Sequence, residues 1–269
     1  MLCDRYSRRI EYLRVAVTDR CNQRCVYCMP ADGIPLKRHG AILRYEQIEA
    51  VVRTATELGI RKVRLTGGEP LVRRGIEDLV AMLARLPGLK ELCMTTNGTR
   101  LAVLAPKLKA AGLGRVNVSI NSLDPDKYRA ITRGGDLSRA LAGVEAALAH
   151  DLVPLKINMV VLAETAPSEI AAMRAFCAAK SIALQIIRHF TLARRDRGRP
   201  TFPADRPPKC ANCNRLRLTA DGYLKPCLFS EDEIPVDFAD IRGSLLAAVA
   251  GKPRNGTRCR NRPMHAIGG

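Results

Sequence analysis

The sequence predicts an α/β fold: an open, partial (β/α)6 barrel followed by a small cysteine-bearing region. Residues 12 to 187 alternate short period-two runs with longer period-3.6 runs, six times over, which is the pattern of parallel βα units. Each strand-like run has one apolar and one polar face. A doubly wound sheet, buried on both sides, would show near-continuous apolar strands. A barrel whose concave side holds a polar ligand fits the alternation better. Six units are too few to close an eight-stranded barrel, so the sheet is expected to stay open.

The expected strands are Leu13–Thr18, Lys62–Thr66, Leu92–Thr95, Arg115–Ile120, Leu155–Val161 and Ile182–Ile187. In the second, Val63 and Leu65 alternate with Lys62, Arg64 and Thr66; in the fourth, Val116, Val118 and Ile120 alternate with Asn117, Ser119 and Asn121. Between them, Tyr45–Leu58 carries Ile48, Val51, Val52, Ala55 and Leu58 on one helical stripe, and Ile76–Leu86 repeats the pattern. Further helices are expected near 100–111, 136–150, 168–180 and 243–250. Residues 1–190 therefore read as the barrel. Residues 191–209 are rich in Arg and Pro without periodicity and read as a linker or lid. Residues 210–269 form the C-terminal region, where Leu216–Thr219 and Tyr223–Leu228 flank Ala220-Asp221-Gly222, a hairpin signal.

Composition narrows the function. Apolar residues make up 47% and charged residues 26%, which is globular rather than disordered. No apolar run approaches the roughly 18 residues of a membrane span. The start, MLCDRYSRRIEYLR, has no apolar stretch typical of a secretory signal, so a cytoplasmic location is expected. Lys and Arg number 44 against 26 Asp and Glu, and the excess is spread along the chain rather than gathered in a tail. A basic pocket or a diffuse basic surface remains. The absence of Trp and the 4% aromatic content argue against a base-stacking platform for nucleic acid.

Ten cysteines in a chain without an export signal read as metal ligands rather than disulfides. Cys21, Cys25 and Cys28 form C-x3-C-x2-C directly after the first strand, at the mouth where barrel enzymes keep their chemistry. No fourth ligand follows for a closed zinc site, and three thiolates on a four-iron cluster leave one iron open. Cys210, Cys213 and Cys227 form C-x2-C-x13-C. Taken alone, that spacing is more often zinc, and Cys259 could complete four thiolates. Arg215 and Arg217, on one face of a strand beside it, suit an anionic ligand better than a sealed structural metal. Cys3, Cys93 and Cys177 are isolated and expected to be buried or partly buried. The four His have no partner at ligand spacing.

The first triad, followed by Gly67-Gly68-Glu69-Pro70 after the second strand, resembles the signature of radical S-adenosylmethionine enzymes. With TDRCNQRCVYCMP, VRLTGGEPL, TTNGT, RVNVSI, CNRLRLTADGYLKPCL and the terminal Gly268-Gly269, the chain closely resembles the GTP 3′,8-cyclase family of molybdenum cofactor biosynthesis. The resemblance implies a [4Fe–4S] cluster on Cys21, Cys25 and Cys28 with S-adenosylmethionine on its open iron, and a second [4Fe–4S] cluster on Cys210, Cys213 and Cys227 facing the purine of GTP. A 5′-deoxyadenosyl radical would start conversion of GTP to 3′,8-cyclo-7,8-dihydro-GTP. By the same resemblance Tyr27, Gly68 and Ser119 match S-adenosylmethionine positions, and Arg14, Arg64, Thr95, Lys156, Arg215, Leu216 and Arg217 match GTP positions. An electron-donor protein and a downstream pterin-forming enzyme are implied as partners, and a homodimer is compatible.

The sequence departs from the family pattern in places. Gln185, Arg188 and Phe190 stand where the family has Arg, an acidic residue and Met, and Asn121 stands where it usually has Asp. The family also has a longer stretch where this chain has 191–209, and more after Cys227. These changes keep alive a radical enzyme with another substrate, or a degenerate paralogue that no longer cyclises. From a different class, a zinc-ribbon nucleic-acid binder is the alternative.

Overall fold

Strands and helices alternate through the first two thirds of the chain as the periodicity requires. The computed structural model describes residues 2–192 and 210–267; the linker beyond Leu192 and Gly268-Gly269 lie outside the described residues. The six expected strands are β1 (Tyr12–Ala16), β2 (Lys62–Thr66), β3 (Glu91–Thr96), β4 (Arg115–Ser119), β5 (Lys156–Val161) and β6 (Ala183–Arg188). The helices between them are α1 (Tyr45–Glu57), α2 (Ile76–Ala84), α3 (Leu101–Ala110), α4 (Pro125–Thr132), α5 (Leu137–Ala149) and α6 (Pro167–Ala179). Neighbouring strands from β1 to β6 are all parallel.

The C-terminal region adds β7 (Arg215–Leu218), β8 (Tyr223–Lys225), β9 (Ile234–Pro235), α7 (Ile241–Ala250) and the short α8 (Met264–Ile267). The expected hairpin is present as β7 and β8, which pair antiparallel. Less expected is where it docks. β7 lies parallel to β1, so that the described strands make one sheet ordered β6-β5-β4-β3-β2-β1-β7-β8-β9. The C-terminal region thus extends the barrel wall.

The period-two alternation sorts each strand into two faces. Leu13, Val15, Val63, Leu65, Leu92, Met94, Val116, Val118, Ile157, Met159, Leu216 and Leu218 are buried in the core under the helices. Each such aliphatic side chain contributes about 1.5–3 kcal/mol on burial. The helices supply their own stripes, Ile48, Val51 and Val52 from α1 and Leu79, Val80 and Leu83 from α2. α4 was not anticipated. It buries only Tyr128, Ile131 and Thr132, too short a stripe to stand out by period, but Asp124 caps it by accepting from the Lys127 amide at 2.7 Å, and Pro125 opens its first turn.

Cys93 and Cys177 are buried, as expected, whereas Cys3 is exposed, because its short segment pairs with Arg9 at the surface through a single bridge. No described helix is long and apolar enough to cross a membrane.

Candidate active site

The polar faces of the strands line the concave side, and register decides which side chains meet there. Arg217, Arg14 and Arg64 are partners across β7, β1 and β2. The row continues through Cys93 to Arg115 on β3 and β4. One residue pair further towards the C-terminal ends of the strands, Thr95 meets Asn117, and Asn117 meets Lys156. Ser119 follows, beside Asn158, which in turn pairs with Gln185. Arg14, Arg64, Thr95, Lys156, Arg215 and Arg217 therefore share one face. Leu216 points the other way and is fully buried in the core, so only its backbone is available to a ligand.

Four arginines are crowded here with few acids. Arg64 donates from Nε to the Tyr12 hydroxyl at 2.8 Å and from Nη1 to Thr95 Oγ1 at 3.3 Å. Burial first, then repulsion from Arg64 and Arg215, brings the Arg14 guanidinium down to about 10, with Tyr12 opposing the shift. Burial and the neighbouring Arg14 and Arg215 push Arg217 down as well. A guanidinium does not give up its proton in a protein, so these shifts measure the cost of gathering positive charge, a cost that a bound anion relieves. Tyr12 was missed from the sequence because the expected strand began one residue later. Its phenol is buried, which raises its pKa, but Arg14 and Arg64 together outweigh that and lower it.

At the C-terminal mouth of the strands, the loop carrying Cys21, Cys25 and Cys28 leans on the loop after β2. The Gly68 amide donates to the Thr18 carbonyl and the Glu69 amide to the Arg20 carbonyl, both at 2.8 Å. A Cβ on Gly68 would lie 2.2 Å from the Arg20 carbonyl oxygen, and one on Gly67, at φ +141°, 2.5 Å from that of Thr18. The glycines are there so that two backbones can touch. Glu69 is buried and accepts from the Leu71 amide, the Thr96 hydroxyl and the Asn97 amide. Tyr27 accepts from Asn121 Nδ2 at 3.0 Å, while Asn121 Oδ1 takes the Val160 amide at 2.9 Å. Asn121 thus ties the cysteine loop to β5.

The donor chemistry of this loop fits an iron–sulfur cluster. Burial pushes Cys21 and Cys28 up to about 12, with each thiol raised further by its neighbours in the triad. Such thiols ionise when a metal takes them. The Gln23 amide donates to Cys21 Sγ at 3.4 Å. In the second triad, burial raises Cys213, but Lys252 and Arg215 outweigh it and bring the thiol down to about 7. The Phe229 amide donates to Cys227 Sγ at 3.4 Å, and a Cβ on Gly256 would lie 2.7 Å from that sulfur. Among the described residues no three His, Cys, Asp or Glu side chains converge tightly enough to hold a single metal ion; the thiolates of a four-iron cluster each take a different iron. Cys259 is engaged elsewhere, its thiol donating to Asn261 Oδ1 at 3.2 Å within a small core with Leu192 and Ile267.

That small core joins the end of the barrel to the tail of the chain. Phe190 packs on Phe229, ring centroids 5.5 Å apart, and both rest against the core together with Met264 of α8. Arg217 Nη1 donates to the Ile267 carbonyl at 3.4 Å. α8 also brings the buried His265 to the backbone of Cys28, a placement no sequence spacing announces. A hollow of about 630 Å³ lies towards the N-terminal ends of β3–β5, where Glu91 lines it together with Arg115 and Lys156 of the concave row.

Residues 15–177 match the Radical SAM superfamily. A GTP 3′,8-cyclase of Moorella thermoacetica is 42% identical over 289 residues, covering 91% of this chain and 88% of the relative. The chain belongs to the GTP 3′,8-cyclase family of radical SAM enzymes. A GTP 3′,8-cyclase of Petrotoga mobilis is 40% identical over 276 residues, 87% of this chain and 85% of the relative. One of Heliobacterium modesticaldum aligns over 327 residues at 38% identity, spanning 100% of both chains. Since this chain has 269 residues, that relative carries internal residues that this member of the family lacks.

Among solved structures, native anSMEcpe with bound AdoMet superposes with a TM-score of 0.67 at 17% identity, over 91% of this chain and 81% of that one. Streptococcus suis SuiB bound to its precursor peptide SuiA gives 0.65 at 14%, over 91% and 66%. At such identities these likenesses establish the radical SAM fold alone. Membership of the superfamily brings one [4Fe–4S] cluster and S-adenosylmethionine as cofactors.

Proposed function

We propose that this chain is a working GTP 3′,8-cyclase, a lyase that converts GTP to 3′,8-cyclo-7,8-dihydro-GTP in molybdenum cofactor biosynthesis. The observation that carries the reading is the arginine row, Arg217–Arg14–Arg64, set side by side on three parallel strands. A triphosphate is strongly anionic, and charge-assisted hydrogen bonds from guanidinium forks are about twice as strong as neutral ones. Arg215, Thr95 and Lys156 extend the same face, and the Leu216 backbone lies between the two arginines of β7.

In this reading Cys21, Cys25 and Cys28 hold the first [4Fe–4S] cluster, and Cys210, Cys213 and Cys227 a second. When bound, the first cluster and S-adenosylmethionine supply a 5′-deoxyadenosyl radical. The chain's own residues do the positioning. Gly68 lets the loop after β2 approach the cysteine loop, Tyr27 is fixed by Asn121, and Ser119 stands on the same concave face; these three are the S-adenosylmethionine contacts. Tyr12 orients Arg64 through its hydroxyl, and α8 ties the tail to Arg217 through the Ile267 carbonyl. A cytoplasmic location, an electron-donor protein and a downstream pterin-forming enzyme belong to the same reading.

The test is anaerobic reconstitution with iron and sulfide, followed by GTP, S-adenosylmethionine and a strong reductant, with products read by mass spectrometry. The expected product is 3′,8-cyclo-7,8-dihydro-GTP with 5′-deoxyadenosine. Uncoupled 5′-deoxyadenosine with intact GTP would point instead to another substrate, which the changed positions Gln185, Arg188 and Phe190 would explain.

A further inference from the structure

Two lysines of the C-terminal region are fully buried, and they are compensated differently. Lys225 has a carboxylate: its Nζ lies 3.1 Å from Glu233 Oε1 and donates to the Ser230 carbonyl at 3.0 Å. Lys252, only 1% exposed, has none among the described residues. Its Nζ donates to the carbonyl of Arg215 at 2.7 Å and to that of Pro226 at 2.8 Å. Beyond them it faces the thiols of Cys213 and Cys227, with the like charge of the Arg8 guanidinium also near. A buried ammonium facing carbonyls alone is costly, so the site calls for negative charge from the sulfurs. Three thiolates on a four-iron core of charge +2 leave a net charge of −1, and −2 after reduction.

The two carbonyls are informative by position. Arg215 lies two residues after Cys213, and Pro226 immediately precedes Cys227. One ammonium therefore joins the two arms that carry these cysteines. The third arm is tied through the residues that follow Lys252. Arg8, buried and ion-paired with Asp4 at 2.6 Å, donates from Nη1 to the Cys210 carbonyl at 2.7 Å and to the Arg254 carbonyl at 3.1 Å, and from Nη2 to the Pro253 carbonyl at 2.7 Å. The segment Lys252-Pro253-Arg254 is thus a hub to which all three cysteine arms are fastened.

We propose that Lys252 is a positioning residue for the second cysteine triad: it clamps the Cys213 and Cys227 arms together and sets the positive charge beside the cluster they hold. The proposal rests on the reading of that triad as a [4Fe–4S] site. Removing a positive charge next to the cluster makes an added electron less favourable, because net charge and hydrogen bonding to the sulfurs set such potentials.

The experiment measures iron content and the midpoint potential of each cluster, by redox titration followed by electron paramagnetic resonance, in the full-length chain and its Lys252→Gln and Lys252→Arg variants. A chain with Cys21, Cys25 and Cys28 all changed to Ala identifies the signal of the second cluster. Lys252→Gln is expected to shift the second cluster to a more negative potential while the first stays put, and Lys252→Arg to return it towards the wild-type value. Two clusters in the wild type with an unmoved second potential in Lys252→Gln would overturn the role of Lys252 and leave the cluster reading standing. If Lys252→Gln sheds the second cluster, Lys252→Arg must keep it; loss in both overturns the proposal. A wild type that holds a single cluster, or zinc on the second triad, would instead remove the reading beneath it.

Discussion

Arg217 and Arg14 stand side by side as register partners on parallel strands, although one comes from near the start of the chain and the other from its last quarter. Both are pushed towards lower pKa by burial and by each other's neighbourhood, so the pair is held together by the sheet against its own repulsion. An anion between or above them turns that repulsion into binding.

Changing Arg215 or Arg217 to Ala is expected to weaken GTP binding by about 1.5–3 kcal/mol, the usual loss for a hydrogen bond to a charged group. S-adenosylmethionine affinity should hardly move. Calorimetric titration of both ligands checks this. GTP affinity in the double variant equal to wild type would remove the arginine row from the substrate site.

Replacing Cys21, Cys25 and Cys28 together by Ala should abolish S-adenosylmethionine cleavage and lower iron from about eight to about four per chain, one four-iron cluster's worth. The remaining cluster should stay visible by electron paramagnetic resonance. A variant left with no iron would mean that the second triad does not hold a cluster of its own.

Gly256→Ala isolates the second triad without touching a charge. Its Cβ would come 2.7 Å from Cys227 Sγ and 2.8 Å from Phe229 Cβ, an overpacking that costs on the order of 1–3 kcal/mol. Partial loss of iron, with S-adenosylmethionine binding retained, is the expected result. Full iron occupancy would show that Cys227 can move without consequence.

Gly68→Ala makes the matching test at the first triad. The added methyl would meet the Arg20 carbonyl oxygen at 2.2 Å and its carbon at 2.5 Å, both of them backbone atoms that cannot swing aside. The cysteine loop must shift, so S-adenosylmethionine binding should fall at least tenfold while the barrel stays folded by circular dichroism. Unchanged affinity would mean the two loops are not coupled.

Asp4 gives a pH dependence with a definite sign. Burial raises its pKa, but amide donation from Arg8 and Tyr6 and the Arg8 guanidinium outweigh that and hold it below its ordinary 3.8. A depressed folded pKa means that the stabilisation is present above the unfolded value and is lost as pH falls through the folded one. Asp4→Asn should therefore destabilise the chain near pH 7 by about 1.5–3 kcal/mol, and the gap to wild type should begin to narrow as pH falls below the ordinary 3.8 and close only below the lower folded value. Denaturant melts of the cluster-free chain at both pH values measure it; a gap independent of pH would rule the ion pair out as the cause.

Much of this was readable before the structure. The strand β2, Lys62–Thr66, begins and ends where alternation puts it, because Val63 and Leu65 must face helices and Lys62, Arg64 and Thr66 cannot. The same period accounts for Arg14, Arg64, Thr95 and Lys156 standing on one face. What stayed hidden depends on long-range pairing. Nothing in Arg215–Leu218 says that its neighbour is β1 rather than a separate small sheet, and Lys252 gains its meaning only when the carbonyls of Arg215 and Pro226 converge on it. His265 likewise acquires a neighbour in Cys28 only through the fold of the tail.

The docking of β7 against β1 has a consequence for synthesis on the ribosome. Of the described strands β1 is made before the others, and β2 soon covers one of its edges. The other edge waits until residue 215 has emerged, roughly ten to forty seconds later at ordinary elongation rates. Through that interval the nascent barrel shows a naked row of backbone donors and acceptors, the template on which chains aggregate or swap. The aromatic and charged side chains of the concave face, Tyr12 and Arg14, flank this waiting edge. A chain cut short before Arg215 would keep the edge bare for good, and its fate would be set by chaperone capture and proteolysis rather than by the stability of the six βα units already built.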